Sequence, residues 1–308
     1  MKIFQFVLAG LVLFSTSCKH STKEKEESGI LTENGIEVQG HRGERGLMPE
    51  NSIPGFIAAI NDSVDVIEMD VVISGDGEVV VSHEPFMSSA YVLQPNGDSI
   101  KKSEEANYNL YQMPYDSIRK YDIGLKGNNS FPGQHKVSAY KPLLVEVIDS
   151  VEKYIENKKL KPVGYNIELK SDQEQYGISQ PEPEVFVDMV MNVIENKDIK
   201  GAVNIQSFDP AILNTIHKNY PGTKLAFLVY KEGIQENMDQ LNFVPEIYSP
   251  NYNLVKNEAF VDSIKALQMK LIPWTVNKNE AIKKMIELRV DGIITDFPGK
   301  ANKLFKAK

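Results

Sequence analysis

The stretch Gly40-His41-Arg42-Gly43-Glu44-Arg45-Gly46-Leu47-Met48-Pro49-Glu50-Asn51-Ser52 follows a short apolar run, Ile36 to Val38. Together they read as a first strand over Gly35 to Gly40 that stops at a His-Arg pair bracketed by glycines. Glycine lets the backbone turn sharply or approach a ligand closely. Histidine exchanges protons near neutral pH, and arginine forks two donors onto a phosphate. From these residues two readings stand open: a phosphate site at the strand's C-terminal end, or a Gly-rich surface turn with two solvated side chains. The stretch also bears on the fold. A dinucleotide-binding open sheet places a G-x-G-x-x-G fingerprint after its first strand, and His-Arg-Gly is not that pattern.

Outward from this stretch the chain alternates. Ile53, Phe56, Ile57, Ala59 and Ile60 have helical spacing, with Asn51 or Ser52 as the cap. Val64 to Ile73 reads as a strand carrying Glu68 and Asp70, two positions apart and so on one face. Gly75-Asp76-Gly77 turns it back, and Glu78 to Ser82 returns to His83. Residues from about 84 to 141 are irregular and polar, with a short helix over Tyr115 to Tyr121; they read as a functional loop rather than a second domain. Helices are expected over Leu143–Asn157, Glu184–Asn196, Pro210–His217, Leu254–Gln268 and Lys278–Leu288. Strands are expected over Val163–Leu169, Ala202–Gln206, Lys224–Val229, Glu246–Ser249, Leu271–Val276 and Gly292–Thr295. With the hairpin counted as one unit, this order fits an α/β fold of the (β/α)8 TIM-barrel type with an irregular insertion after the second strand unit.

A barrel gathers what its strand ends carry: His41, Arg42, Glu68, Asp70, His83, Glu168 and Lys170. Three carboxylates at one mouth repel each other without a cation and suit one hard divalent ion, Ca²⁺ or Mg²⁺. Two histidines flanking a scissile phosphate suit a general base and a general acid. Arg42 and Lys170 suit the phosphoryl oxygens.

The formal net charge of the 308 residues is −8, which offers no electrostatic grip on nucleic acid or an anionic membrane. A small anionic substrate is still compatible, through local cations. Lys2, the apolar run Ile3 to Phe14, and Ser15-Thr16-Ser17 before Cys18, the single cysteine, are built like a bacterial lipoprotein signal. The alternative is an ordinary secretion signal with an incidental cysteine. The expected organisation is a signal peptide over 1–17, a lipid-modified Cys18 with a flexible tether over 18–34, and one barrel domain over 35–308. The expected location is exported, anchored to a bacterial membrane by lipid alone, periplasmic or at the cell surface. No obligate protein partner is evident.

Several fragments occur in one order: His41-Arg42-Gly43, Pro49-Glu50-Asn51-Ser52, Glu68-x-Asp70, His83, Glu168-x-Lys170, Gln206-Ser207-Phe208, Trp274-Thr275-Val276-Asn277 and Asp291-Gly292-Ile293-Ile294-Thr295-Asp296. The set closely resembles the glycerophosphodiester phosphodiesterase family, which is related to the phosphoinositide-specific phospholipase C-like barrels. The resemblance implies metal ligation by Glu68, Asp70 and Glu168, an acid–base pair in His41 and His83, and phosphate contacts from Arg42 and Lys170. It implies that Trp274 and Phe208 line the substrate pocket and that Glu50 shapes it from the first loop. It also implies hydrolysis of glycerophosphodiesters to sn-glycerol 3-phosphate and an alcohol through a cyclic phosphate, without saying which histidine acts first as base. Glu84-Pro85 departs from the Asp that many relatives carry after the histidine, and the segment after it is longer and rich in Asn and Tyr. The alternatives are a non-catalytic barrel that binds a phosphorylated ligand, or an enzyme acting on another envelope phosphodiester such as glycerophosphoinositol.

Overall fold

The computed structural model describes residues 35–231 and 233–306, so the signal and tether expected over 1–34 lie outside the described residues. The strands are β1 (Glu37–Gly40), β2 (Val66–Ile73), β3 (Val79–Val81), β4 (Gly164–Leu169), β5 (Val203–Ser207), β6 (Lys224–Val229), β7 (Ile247–Pro250), β8 (Lys270–Leu271) and β9 (Gly292–Thr295). The helices are α1 (Ile53–Asn61), α2 (Tyr115–Ile118), α3 (Leu144–Lys158), α4 (Pro183–Glu195), α5 (Pro210–Asn219), α6 (Ile234–Met238), α7 (Glu258–Ala266), α8 (Asn279–Glu287) and α9 (Pro298–Lys306).

Parallel strands run in the order β8-β7-β6-β5-β4-β2-β1-β9, with β3 paired antiparallel to β2 off this path. Backbone bonds from Asp291 N to Leu271 O (3.0 Å), Ile294 N to Pro273 O (3.0 Å) and Val276 N to Ile294 O (2.8 Å) join the two ends. The result is the expected TIM barrel. Strand β8 is shorter than the sequence suggests because Pro273 has no N–H to give a ladder. Its continuation still bonds to both neighbours, for example from Trp274 N to Pro250 O at 3.0 Å.

The long barrel strands β2 and β4 are buried at every position, on both faces, as parallel sheets require. On β2, Ile67, Met69 and Val71 join the large apolar cluster under the helices, with Phe56 of α1 and Leu144, Val147 and Val151 of α3. The alternate positions, Glu68 and Asp70, face the barrel axis. Much of that interior is polar. Asn166 Nδ2 donates to Gln39 Oε1 (2.7 Å) and to Gln206 Oε1 (3.0 Å), and Asn204 Nδ2 donates to Asn166 Oδ1 (2.6 Å). This amide ladder ends at Gln206 Nε2, which donates to Glu68 Oε1 at 2.9 Å.

Helix α1 starts where Ser52 Oγ accepts from Gly55 N, so Ser52 rather than Asn51 is the cap. Two helices were not legible in the sequence. Helix α6 is a single short turn, and α9 opens on Pro298-Gly299, a pair that reads as a turn. A Cβ on Gly299 would overlap Asp62 Oδ2, so this glycine lets the helix start close to the end of α1. The insertion is more ordered than its composition suggests. Val72 and Val80 of the β2–β3 hairpin pack with Met87, Val92, Leu110, Tyr115, Ile118 and Ile123 in a satellite core.

Glu44, in the loop after β1, is buried. Burial, then a hydrogen bond with Asp62 and the charge of Asp62, push its carboxyl up to about 8 from 4.5, while Lys303 pulls it back. The fold therefore favours the protonated form. That contribution is complete below the unfolded value and is lost as pH rises through about 8. The thermal midpoint is expected to fall from pH 5 to 8.5, with a shallower fall in Glu44→Gln. Equal slopes in calorimetric scans of the two proteins would rule out this assignment.

Candidate active site

Strand β1 delivers its last residue, Gly40, to the C-terminal mouth, where His41 N donates to Thr295 O of β9 at 2.9 Å. The chain then turns back through Arg42 (φ 52°) and Gly43 (φ 86°). A Cβ on Gly43 would lie 2.7 Å from the backbone carbon of Gly55, so only glycine fits against α1 there. The left-handed backbone of Arg42 is costly for a side-chain residue. It aims Arg42 N at Glu68 Oε2, 2.8 Å away, and Arg42 Nη1 at Glu50 Oε1, 2.7 Å away.

Glu68 and Asp70 on β2 and Glu168 on β4 meet here because Asp70 and Glu168 are paired in register. Their nearest oxygens lie within 4.8 Å of one another, and all three residues are buried. Burial, and then Asp70 and Glu168, hold the Glu68 carboxyl well above the usual range. Burial also raises Glu168, against the pull of Lys170. Burial pushes Asp70 the same way, but Arg42 first, then His83, Lys170 and His41, bring it below the usual range. Asp70 Oδ1 is buried without a hydrogen-bond partner. A crowded, buried set of carboxylate oxygens with one orphaned acceptor fits a hard divalent cation.

Two histidines flank this cluster, each with a carboxylate on Nδ1. His41 Nδ1 lies 2.6 Å from Asp296 Oδ1. Asp296 Oδ2 accepts from Asn277 Nδ2 at 2.6 Å, and Asn277 Oδ1 accepts from Asp296 N at 2.9 Å. Burial lowers the His41 pKa, with Asp296 opposing it. His83 Nδ1 lies 3.1 Å from Glu84 Oε1. A carboxylate on Nδ1 selects the tautomer that leaves Nε2 free for the cavity. Asp296→Asn removes that selection at His41 and is expected to lower kcat about a hundredfold with a small change in KM. A kcat within threefold of wild type would show that Asp296 does not orient His41.

His41, His83, Arg42, Glu68 and Glu168 line one cavity of about 180 Å³, with Asp70, Asp296 and Glu84 behind them. Lys170 Nζ reaches it from β4, 2.7 Å from Glu168 Oε1 and 3.8 Å from Asp70 Oδ1. Trp274 and Phe208 form its apolar side, edge to face at 5.3 Å, and Trp274 Nε1 donates to Ser249 O at 2.8 Å. Glu50 is not on the wall. It is buried behind Arg42 and Arg45, and Arg45 Nε donates to its Oε2 at 2.7 Å. Hollows of about 300 Å³ beside α6 and α7 and about 410 Å³ beside β1 and α9 lie away from the acidic cluster.

The residues given roles from the sequence thus come together, with Glu50 one layer back. The sequence reading gave no role to Arg45, Asp296, Asn277 or Gln206. Arg45 lines the cavity with its guanidinium over the Phe131 ring, 4.7 Å from the centroid, a contact supplied by the insertion. Asp296 and Gln206 stand inside the quoted fragments. A search among them for a carboxylate able to serve His41 would have found Asp296.

Residues 41–300 match the glycerophosphoryl diester phosphodiesterase family. A glycerophosphodiester phosphodiesterase of Caldanaerobacter subterraneus subsp. tengcongensis is 30% identical over 265 residues, covering 85% of this chain and 94% of the relative. One from Bacillus altitudinis is 28% identical over 269 residues, covering 87% and 97%. Among solved structures, the phosphodiesterase OLEI02445 of Oleispira antarctica, in complex with the product sn-glycerol-3-phosphate, superposes with a TM-score of 0.69 at 21% identity, covering 88% of this chain and 96% of that one.

Proposed function

Because the chain belongs to the glycerophosphoryl diester phosphodiesterase family and is an enzyme of that class, we propose that this barrel mouth cleaves glycerophosphodiesters to sn-glycerol 3-phosphate and an alcohol, using one divalent cation. The observation that carries the reading is the pair of carboxylate-backed histidines flanking a buried acidic triad in one cavity. Product binding by the Oleispira phosphodiesterase supports the same product here.

Glu68, Asp70 and Glu168 would hold the cation, Ca²⁺ or Mg²⁺. When bound it supplies positive charge against the phosphoryl oxygens. Arg42 and Lys170 face the same oxygens with fixed donors, and Glu50 holds the Arg42 guanidinium in place. One histidine takes the proton of the glycerol hydroxyl next to the phosphate as that oxygen attacks phosphorus. The other gives a proton to the departing alcohol. The same pair, with roles exchanged, adds water to the resulting cyclic phosphate. Trp274 and Phe208 offer a flat apolar surface to the glycerol carbons. The insertion packs Phe131 against Arg45, which lines another side of the mouth, and we assign the insertion the choice of leaving alcohol. For location, we propose lipid attachment at Cys18, supported by the apolar run before it.

The test is ³¹P NMR product analysis with glycerophosphocholine, -ethanolamine, -glycerol and -inositol. The expected product is sn-glycerol 3-phosphate from at least one of them. A phosphorylated alcohol with free glycerol, or no turnover on any, would overturn the reading. Labelling by a palmitate analogue, lost in Cys18→Ser, tests the anchor; labelling unchanged by that substitution would exclude it.

A further inference from the structure

Lys141 is 2% exposed, and the proposed chemistry does not use it. It precedes α3 at the end of the insertion. A buried ammonium is costly unless something compensates its charge. Its Nζ donates to Ser82 Oγ at 2.8 Å and lies 3.5 Å from the Tyr91 hydroxyl, over the face of the same ring. Neither partner carries a charge. The largest opposing charge acting on Lys141 is that of Glu84.

The hydrogen bonds run in one direction. Lys141 has only donors to offer, so Tyr91 accepts from it and turns its own proton outward. That proton goes to Glu84 Oε2, 2.5 Å away. Ser82 does the same on the backbone side, accepting from Lys141 and donating to Glu84 O at 2.6 Å. Glu84 is thus held at its carboxylate and its carbonyl by two hydroxyls that share one ammonium. Its remaining oxygen, Oε1, is the one that faces His83 Nδ1. Burial and the neighbouring Glu84 charge keep the Tyr91 phenol protonated, so the direction does not reverse.

We propose that Tyr91 and Lys141 are positioning residues for His83, acting through Glu84, so that the insertion holds one of the two proton-transfer groups in register. The Glu84 side chain is long and freely rotating, so holding its Oε1 against His83 takes a second anchor. Tyr91 and Lys141 supply it from within the satellite core. The inference rests on the reading of His83 as a catalytic group.

The test uses the full chain with Mg²⁺ or Ca²⁺ and glycerophosphocholine, or whichever diester proves the best substrate. Tyr91→Phe keeps the ring and removes the proton that Glu84 accepts. Glu84→Gln keeps the shape and removes the charge. Each is expected to lower kcat about tenfold to a hundredfold with KM within about twofold. The double variant is expected to be no slower than Glu84→Gln alone, because Tyr91 acts only through Glu84. Lys141→Met is expected to follow Tyr91→Phe. Nitrogen-15 NMR of the histidine rings gives a second readout: His83 in the wild type holds the Nδ1–H tautomer, and Tyr91→Phe mixes it with the other. A Tyr91→Phe enzyme with wild-type kcat, losses that multiply in the double variant, or an unchanged His83 tautomer would each overturn the proposal. Full turnover in His83→Ala would instead remove the reading beneath it. Loss of turnover in His83→Ala beside normal Tyr91→Phe would remove the proposal alone.

Discussion

His41→Ala is expected to lower kcat for glycerophosphodiester hydrolysis by about 10³-fold, with KM changed only a few-fold. A positioned proton-transfer group contributes roughly 10²- to 10⁴-fold. His41 is placed for the upper part of that range because the residue is held at both its backbone and its ring. Its backbone N is tied to Thr295 O, and its Nδ1 to Asp296 Oδ1 at 2.6 Å. Arg42, Lys170 and the acidic triad remain in the variant, so substrate binding survives while the proton step does not. The loss should also contain the Asp296 effect: His41→Ala with Asp296→Asn is expected to be no slower than His41→Ala alone. Steady-state kinetics on purified variants checks both. A kcat within tenfold of wild type would remove His41 from the chemistry.

Removal of divalent cations is expected to abolish turnover, by about 10³-fold or more, and to lower the thermal midpoint. Three buried carboxylates with oxygens within 4.8 Å of one another are a source of repulsion in the metal-free protein. Burial first, and then the neighbouring carboxylates, displace Glu68 and Glu168 upward, against the pull of Lys170 on Glu168. A cation that binds only the folded state stabilises it by about 2.7 kcal/mol at a hundred times its dissociation constant. The two effects have opposite signs in one variant. Glu68→Gln removes a repelling charge, so the chelated variant should melt higher than chelated wild type. It also removes a ligand, so its midpoint should rise less when Mg²⁺ or Ca²⁺ is added. Calorimetry with and without chelator, beside activity, separates them. Undiminished turnover after exhaustive chelation, with no midpoint shift on adding either cation, would exclude the metal site.

The helices and strands with strong periodicity were legible because each follows from local chemistry. Glu68 and Asp70 alternate with Ile67, Met69 and Val71, and that period of two puts them on one face together before any fold is known. Leu144, Val147, Ile148, Val151 and Ile155 mark the buried side of α3 in the same way. Strand β8 was read too long because Pro273 interrupts the ladder without moving the chain away from its neighbours. The insertion was read as an irregular loop because its apolar residues follow no helical or strand period, although they meet in space.

The sequence by itself determined the barrel, the order of its strands, and the cations, carboxylates and histidines that stand at their ends. All of these depend on residues near one another in the chain or on the alternation of faces along a strand. Only the tertiary structure decided which groups serve which. His41 finds Asp296 across a separation of 255 positions because the first strand, β1, pairs with the last, β9. Glu50 moves behind the wall because two guanidiniums cover its carboxylate. Lys141 reaches Ser82 across 59 positions because the satellite core folds the insertion back on its own hairpin. The stretch from Gly40 to Ser52 was therefore readable as half of a site. Its partners came from strands and loops whose distance in space no local pattern encodes.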